Sequence, residues 1–267
     1  MERSTTAWLL IGCEIQGSVY HYNQKTMNAT ALFLVTHGSS DRRSWSALQD
    51  LVTVARSQSN LYISGGCLEG QTLTLAQQLE KFANEIVEYG VSTIVILPLL
   101  LLEGIHVSED IPNEVAIAQS NLQNCITLRI LPHLGTHSQI PDLLAHQFEK
   151  YSDQHSPEKQ ARILVSHGSR RADANQVVEN LAKSSQSIAA YWGIEPKIET
   201  QIEHLITQGI DRINVLPYFL TEGGITEAIA HKLQHYRDRV QIRQLPVALS
   251  NEQLVNLALS MIYYISS

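Results

Sequence analysis

The chain contains itself twice. Residues Ala31 to Ser39 align without a gap with Ala161 to Ser169, 130 positions further on, and both runs are apolar stretches that end in His-Gly-Ser, at His37 and His167. A second pair, Leu97 to Gly104 against Leu216 to Gly223, recurs in the same order at a spacing of 119. A duplication is the simplest account, with about eleven extra residues between the two motifs of the first copy. A repeat of this size constrains the fold more than any other feature, because each copy must be a unit with its own core.

Within each copy, strands and helices alternate, which predicts an α/β fold built on parallel sheets with helices on both faces. Trp45, Leu48, Leu51, Val52 and Ala55 fall on one helical stripe, and Leu75, Leu79, Phe82 and Ile86 on the next. Gly90 caps that second helix, and the apolar run Thr93 to Leu102 reads as the strand after it. The second copy repeats the pattern with Val177, Val178 and Leu181, then Ile202, Leu205 and Ile206, and a strand from Ile213 to Leu220. The polar stretch Tyr151 to Glu158, with Pro157, reads as a linker. The expected division is a weakly structured N-terminal extension at 1–28, a first domain at 29–155 and a second at 156–267.

Composition excludes several classes. Apolar residues make up 44% and charged residues 17%, as in ordinary globular proteins, and a net charge of −7 argues against nucleic acid as a partner. Cys13, Cys67 and Cys125 show no C-x-x-C spacing for zinc or an iron–sulfur cluster, and are read as reduced thiols of a cytoplasmic protein. No apolar run approaches the roughly 18 residues of a membrane span. Leu10 to Cys13 looks like a lipoprotein cleavage site, but the apolar stretch Ala7 to Ile11 before it is too short, and Met27 is a second candidate start. There is no P-loop for ATP, no G-x-G-x-x-G after a strand and no G-x-S-x-G elbow. The pair Gly65-Gly66, after a strand at Leu61 to Ser64, reads as a turn.

Ligands of open parallel sheets bind beyond the carboxyl ends of the strands. His37 ends its strand, followed by Gly38 and by Ser39 as a helix cap; His106 lies just past Gly104; Glu69 follows the Gly65-Gly66 pair. Two imidazoles and a carboxylate there suit an intermediate divalent ion such as Fe²⁺ or Co²⁺, with positions left open. Two imidazoles bind weakly enough to leave the ion exchangeable, and a histidine can also accept a proton. Of the eleven histidines, His133 and His137 are read as structural, His21, His146, His155, His204, His231 and His235 as surface. His167 is read as a relic, since Ile225 stands where His106 would.

At Thr36 to Ser39, together with Pro98 to Pro112 and its Gly-x-His-x-x-x-Asp-Ile-Pro pattern, the sequence resembles the class II chelatases, in particular the two-domain sirohydrochlorin ferrochelatase and cobaltochelatase family. The resemblance runs from about Ala31 to the C-terminus. It implies two Rossmann-like domains facing across a cleft and ATP-independent insertion of Fe²⁺, or alternatively Co²⁺, into sirohydrochlorin. No permanent cofactor, nucleic acid or membrane is implied. It also implies that His37 and His106 bind metal or move protons, with Glu69 assisting. The family has Arg after His-Gly-Ser, as at Arg170, whereas the first copy has Ser40. Arg42, Arg43, Arg170 and Arg171 form the cationic cluster available for the substrate's carboxylates. A non-catalytic metal or tetrapyrrole carrier would use the same histidines. A histidine phosphatase would place Arg, not Thr36, before the His-Gly.

Overall fold

The computed structural model describes residues 14–15, 18–19, 29–123, 125–152, 159–169 and 172–263. Two short strands, β1 (Glu14–Ile15) and β2 (Ser18–Val19), pair antiparallel within the expected extension. The rest of that extension and the linker boundary near Ser156 lie outside the described residues.

The first half is a four-stranded parallel sheet of β3 (Ala29–Gly38), β4 (Tyr62–Glu69), β5 (Val91–Pro98) and β6 (Thr127–Ile130), in the order β4-β3-β5-β6. The second half repeats it with β7 (Gln160–Ser166), β8 (Ile188–Tyr191), β9 (Arg212–Pro217) and β10 (Gln241–Gln244), in the equivalent order β8-β7-β9-β10. The correspondence reaches single bonds. Leu99 N–H donates to the Val35 carbonyl and Tyr218 N–H to that of Val165, both at 2.7 Å. The duplication read from the sequence is thus a duplication of topology.

Helices α1 (Arg42–Gln58), α2 (Leu75–Ile86), α3 (Ile111–Asn121) and α4 (Ile140–Lys150) belong to the first half. Helices α5 (Ala172–Ser184), α6 (Ile198–Thr207), α7 (Gly224–Gln234) and α8 (Asn251–Tyr263) belong to the second. Alternation along β3 sends Ala31, Phe33 and Val35 into a core with α2 and α3, and Leu32 and Leu34 toward α1 and α4. That second core does not stop at the domain. It continues through Leu164, Val178, Leu249, Leu254 and Ala258, so α1, α4, α5 and α8 form one apolar layer between the two sheets. Truncating a buried leucine here, such as Leu48 or Leu254, costs about 2–5 kcal/mol by lost transfer energy and the cavity left behind. Among the described residues no helix is long and apolar enough to cross a membrane.

The stripe expected on α1 is the one observed, with Leu48, Leu51, Val52 and Ala55 buried. Three local readings are corrected. Gly65-Gly66 is not a turn but the middle of β4, where a Cβ on Gly65 would lie 3.0 Å from Leu48 and Val52 and one on Gly66 2.9 Å from the Phe33 ring, so close packing demands glycine. Strand β5 stops at Pro98, short of Leu102. The cap of α1 is Asp41, whose carboxylate accepts from Arg43 N–H at 2.9 Å, while Ser39 accepts from Asp41 N–H. Among the cysteines, Cys67 is a free buried thiol, its pKa raised by burial, whereas Cys125 is disulfide-bonded, so the reading of all three as reduced does not stand.

Candidate functional site

Strands β3 and β5 are neighbours in the sheet, and the chain leaves them in opposite directions, which makes the gap beyond their carboxyl ends the topological switch point. His37 continues the alternation of Phe33 and Val35 and emerges at the end of β3. Gly38 follows with φ 83°, and a Cβ there would fall 2.1 Å from the Glu69 carbonyl oxygen, so only glycine lets β3 and β4 finish side by side.

His106 opens a wide π-helical turn, His106–Asp110, that leads into α3. Pro112 offers no N–H to the Ser108 carbonyl, so the turn before it closes one residue wider, with Ile111 N–H donating to the His106 carbonyl. This brings the two imidazoles together, with ring centroids 4.3 Å apart and planes at 83°. His37 Nδ1–H donates to the Gly38 carbonyl at 2.9 Å and His106 Nδ1–H to Asp110 at 2.6 Å. A carbonyl and a carboxylate only accept, so Nδ1 is the donor in each ring and Nε2 is the nitrogen left for a ligand. Asp110 is the site residue that sequence reasoning passes over. Its signal is the four-residue spacing from His106 just before a proline.

Beside His106 opens a groove of about 510 Å³ lined by Glu69, Leu73, Asp110, Asn113 and Glu114, among others. Its carboxylates give it an electrostatic preference for a cation. Glu114 is partly committed, accepting Ala76 N–H at 2.8 Å. Glu69, exposed at the end of β4, lines the groove but does not join the histidines. Among the described residues no three His, Cys, Asp or Glu side chains come together as a metal cluster. Leu73 and Ile105, next to the groove and to His106, are 42% and 53% exposed, an apolar flank to a polar centre.

The cationic cluster is less free than the sequence implies. Arg43 is held by Asp41 at 2.8 Å and, from the other half, by Glu227 at 2.5 Å, and these partners raise its pKa while Arg43 lowers that of Asp41. Arg42 is exposed with no ion-pair partner among the described residues. Arg170 and Arg171 lie outside them. In the second half His167 is exposed and Ile225 packs against the core of its own domain, so no second imidazole pair exists at the equivalent place. His137 donates Nε2–H to Ser260 at 2.8 Å and ties the halves together; His133 is buried, and burial lowers the pKa of both.

Residues 31–151 and 161–260 match the family model CbiX. A sirohydrochlorin ferrochelatase of Priestia megaterium is 27% identical over 214 residues, 76% of this chain and 78% of that protein. A sirohydrochlorin cobaltochelatase of Sulfolobus acidocaldarius is 33% identical over 73 residues, 27% of this chain, and the match spans about half of that protein, 56%. In three dimensions the chain resembles SirB from Bacillus subtilis with Fe³⁺, with a TM-score of 0.76 and 19% identity over 90% of this chain and 96% of that one, a likeness of fold.

Proposed function

The chain belongs to the CbiX family, and from that premise we propose that it inserts a divalent metal into sirohydrochlorin without ATP, with Fe²⁺ as the metal and Co²⁺ as the alternative. The observation that carries the reading is the edge-on pair of His37 and His106, each with its Nδ1 occupied and its Nε2 open. Iron is favoured because the relative aligned along both halves is a ferrochelatase, while the cobaltochelatase aligns with 27% of this chain.

In this account the acidic groove gathers the cation, with Glu69 drawing it in, and the two Nε2 atoms hold it with water in the remaining positions. Two nitrogen ligands bind weakly enough to release it. The macrocycle lays an apolar face against Leu73 and Ile105. As the metal passes to the pyrrole nitrogens, two protons must leave them, and an imidazole that has let go of the metal has a free lone pair to take one. Charge balances without another reactant: a dication enters and two protons depart. Holding both reactants in register supplies the rate.

Substrate carboxylates are assigned to Arg42 and to Arg43 once it exchanges Glu227 for the ligand, with Arg170 as a further contact. A cytoplasmic setting is part of the proposal on the need for reduced iron alone, since the disulfide at Cys125 does not support it. The test is anaerobic mixing of protein, sirohydrochlorin and Fe²⁺ without ATP, followed by absorbance. Conversion at least ~100-fold above the spontaneous rate supports a chelatase. Binding of pigment or metal without acceleration would make the protein a carrier.

A further inference from the structure

The proposed reaction uses imidazoles of the first half alone, yet a second imidazole pair stands on the outside of the other half. His231 and His235 lie one turn apart on α7 and at its end, both exposed, with ring centroids 5.5 Å apart and planes at 68°. His235 Nδ1–H donates to the Lys232 carbonyl at 3.2 Å, which leaves its Nε2 as the free nitrogen. Spacing of four residues puts both rings on one helical face, the separation at which a helix offers two nitrogens to one ion.

The surroundings favour a cation. The carboxyl end of α7 carries the negative end of the helix dipole. Lys232, the cation between the two rings in sequence, is drawn away: its ammonium pairs with Glu199 and lies 4.5 Å from the Trp192 ring centre. Arg239 is likewise occupied by Glu203, at 2.6 Å. Glu227 stands four residues before His231, so Glu227, His231 and His235 descend one face of α7 from the contact with Arg43. Nor is the pair a leftover of duplication. By the spacing of 119 that relates the second motifs, the first half has Pro112 and Ala116 at these places, and His106 corresponds to Ile225.

We propose that His231 and His235 form a second, surface site for a divalent metal of the imidazole-preferring class, Co²⁺, Ni²⁺ or Zn²⁺, with water filling the other positions. The site stands independently of the insertion reaction. Calorimetric titration of the full chain with Ni²⁺ at pH 7.5, in the absence of pigment, tests it. The wild type takes up two equivalents. His231→Ala/His235→Ala loses one and keeps the ATP-free insertion rate, while His37→Ala/His106→Ala loses the other. His231→Ala alone weakens the surface site at least tenfold, since one imidazole cannot chelate. Both positions are exposed, and circular dichroism of each variant verifies the fold. Superimposable titrations of wild type and His231→Ala/His235→Ala would overturn the proposal, whatever the insertion assay shows.

Discussion

Asp110 holds His106 by its Nδ1–H at 2.6 Å across one wide turn, and thereby leaves Nε2 as the ring nitrogen available to a ligand. Removing the carboxylate charge while keeping the shape, as in Asp110→Asn, loosens the ring and weakens its hold on a metal. A fall of about 10–100-fold in kcat is expected from the loss of such a supporting partner. The KM for pigment should change little, because Asp110 acts through His106 and is assigned no contact with the pigment. Steady-state insertion kinetics separate the two; a rise in KM with kcat unchanged would contradict the assignment.

Arg43 and Glu227 join the two halves over the entrance to α1. Both are well exposed, so their pairing is screened by solvent, and Glu227→Gln should leave the melting temperature unchanged within error. Its effect belongs to binding. Freed from Glu227, Arg43 becomes available to a substrate carboxylate, and the pigment KM should fall about threefold, whereas Arg43→Ala should raise it. Opposite shifts in the two variants support the exchange; a rise in both would show that the pair is needed intact.

His133 sets a pH dependence of stability. Burial lowers its pKa below the ordinary 6.5, so the folded protein keeps the ring neutral where the unfolded chain takes up a proton. Stability from this group is therefore complete above about pH 6.5 and is lost as the pH falls from there toward the lowered value. His137 shifts in the same direction for the same reason. Denaturant midpoints at pH 7.5 and 5.5 should differ less in His133→Gln than in the wild type. An equal drop in both would place the dependence elsewhere.

Much of this architecture is legible in the order of residues alone. The two strand-His-Gly-Ser runs announce the repeated four-stranded sheet, and apolar stripes such as Leu48, Leu51, Val52 and Ala55 are local signals that tertiary packing reinforces. His37 and His106 stand out because strand ends in a parallel sheet are where ligands bind. What escapes a reading of the sequence depends on contacts distant along the chain. Gly65 and Gly66 look like a turn until α1 and the Phe33 ring are placed against them. The commitment of Arg43 to Glu227 crosses 184 positions, and no local pattern announces it. Nor does composition reveal that α1, α4, α5 and α8 share one core, since stripes such as those of α1 and α5 do not say what covers them. Asp110 is visible as a carboxylate near His106, but its role needs the wide turn that Pro112 enforces.

The central claim is that metal transfer belongs to the paired histidines of the first half alone. Its most direct test is the initial rate of ATP-free Fe²⁺ insertion in His37→Ala, His106→Ala and His167→Ala, each verified as folded by circular dichroism. The account predicts a loss of at least ~100-fold in the first two and less than about threefold in the third. Comparable losses in all three, or wild-type rates in His106→Ala, would contradict it.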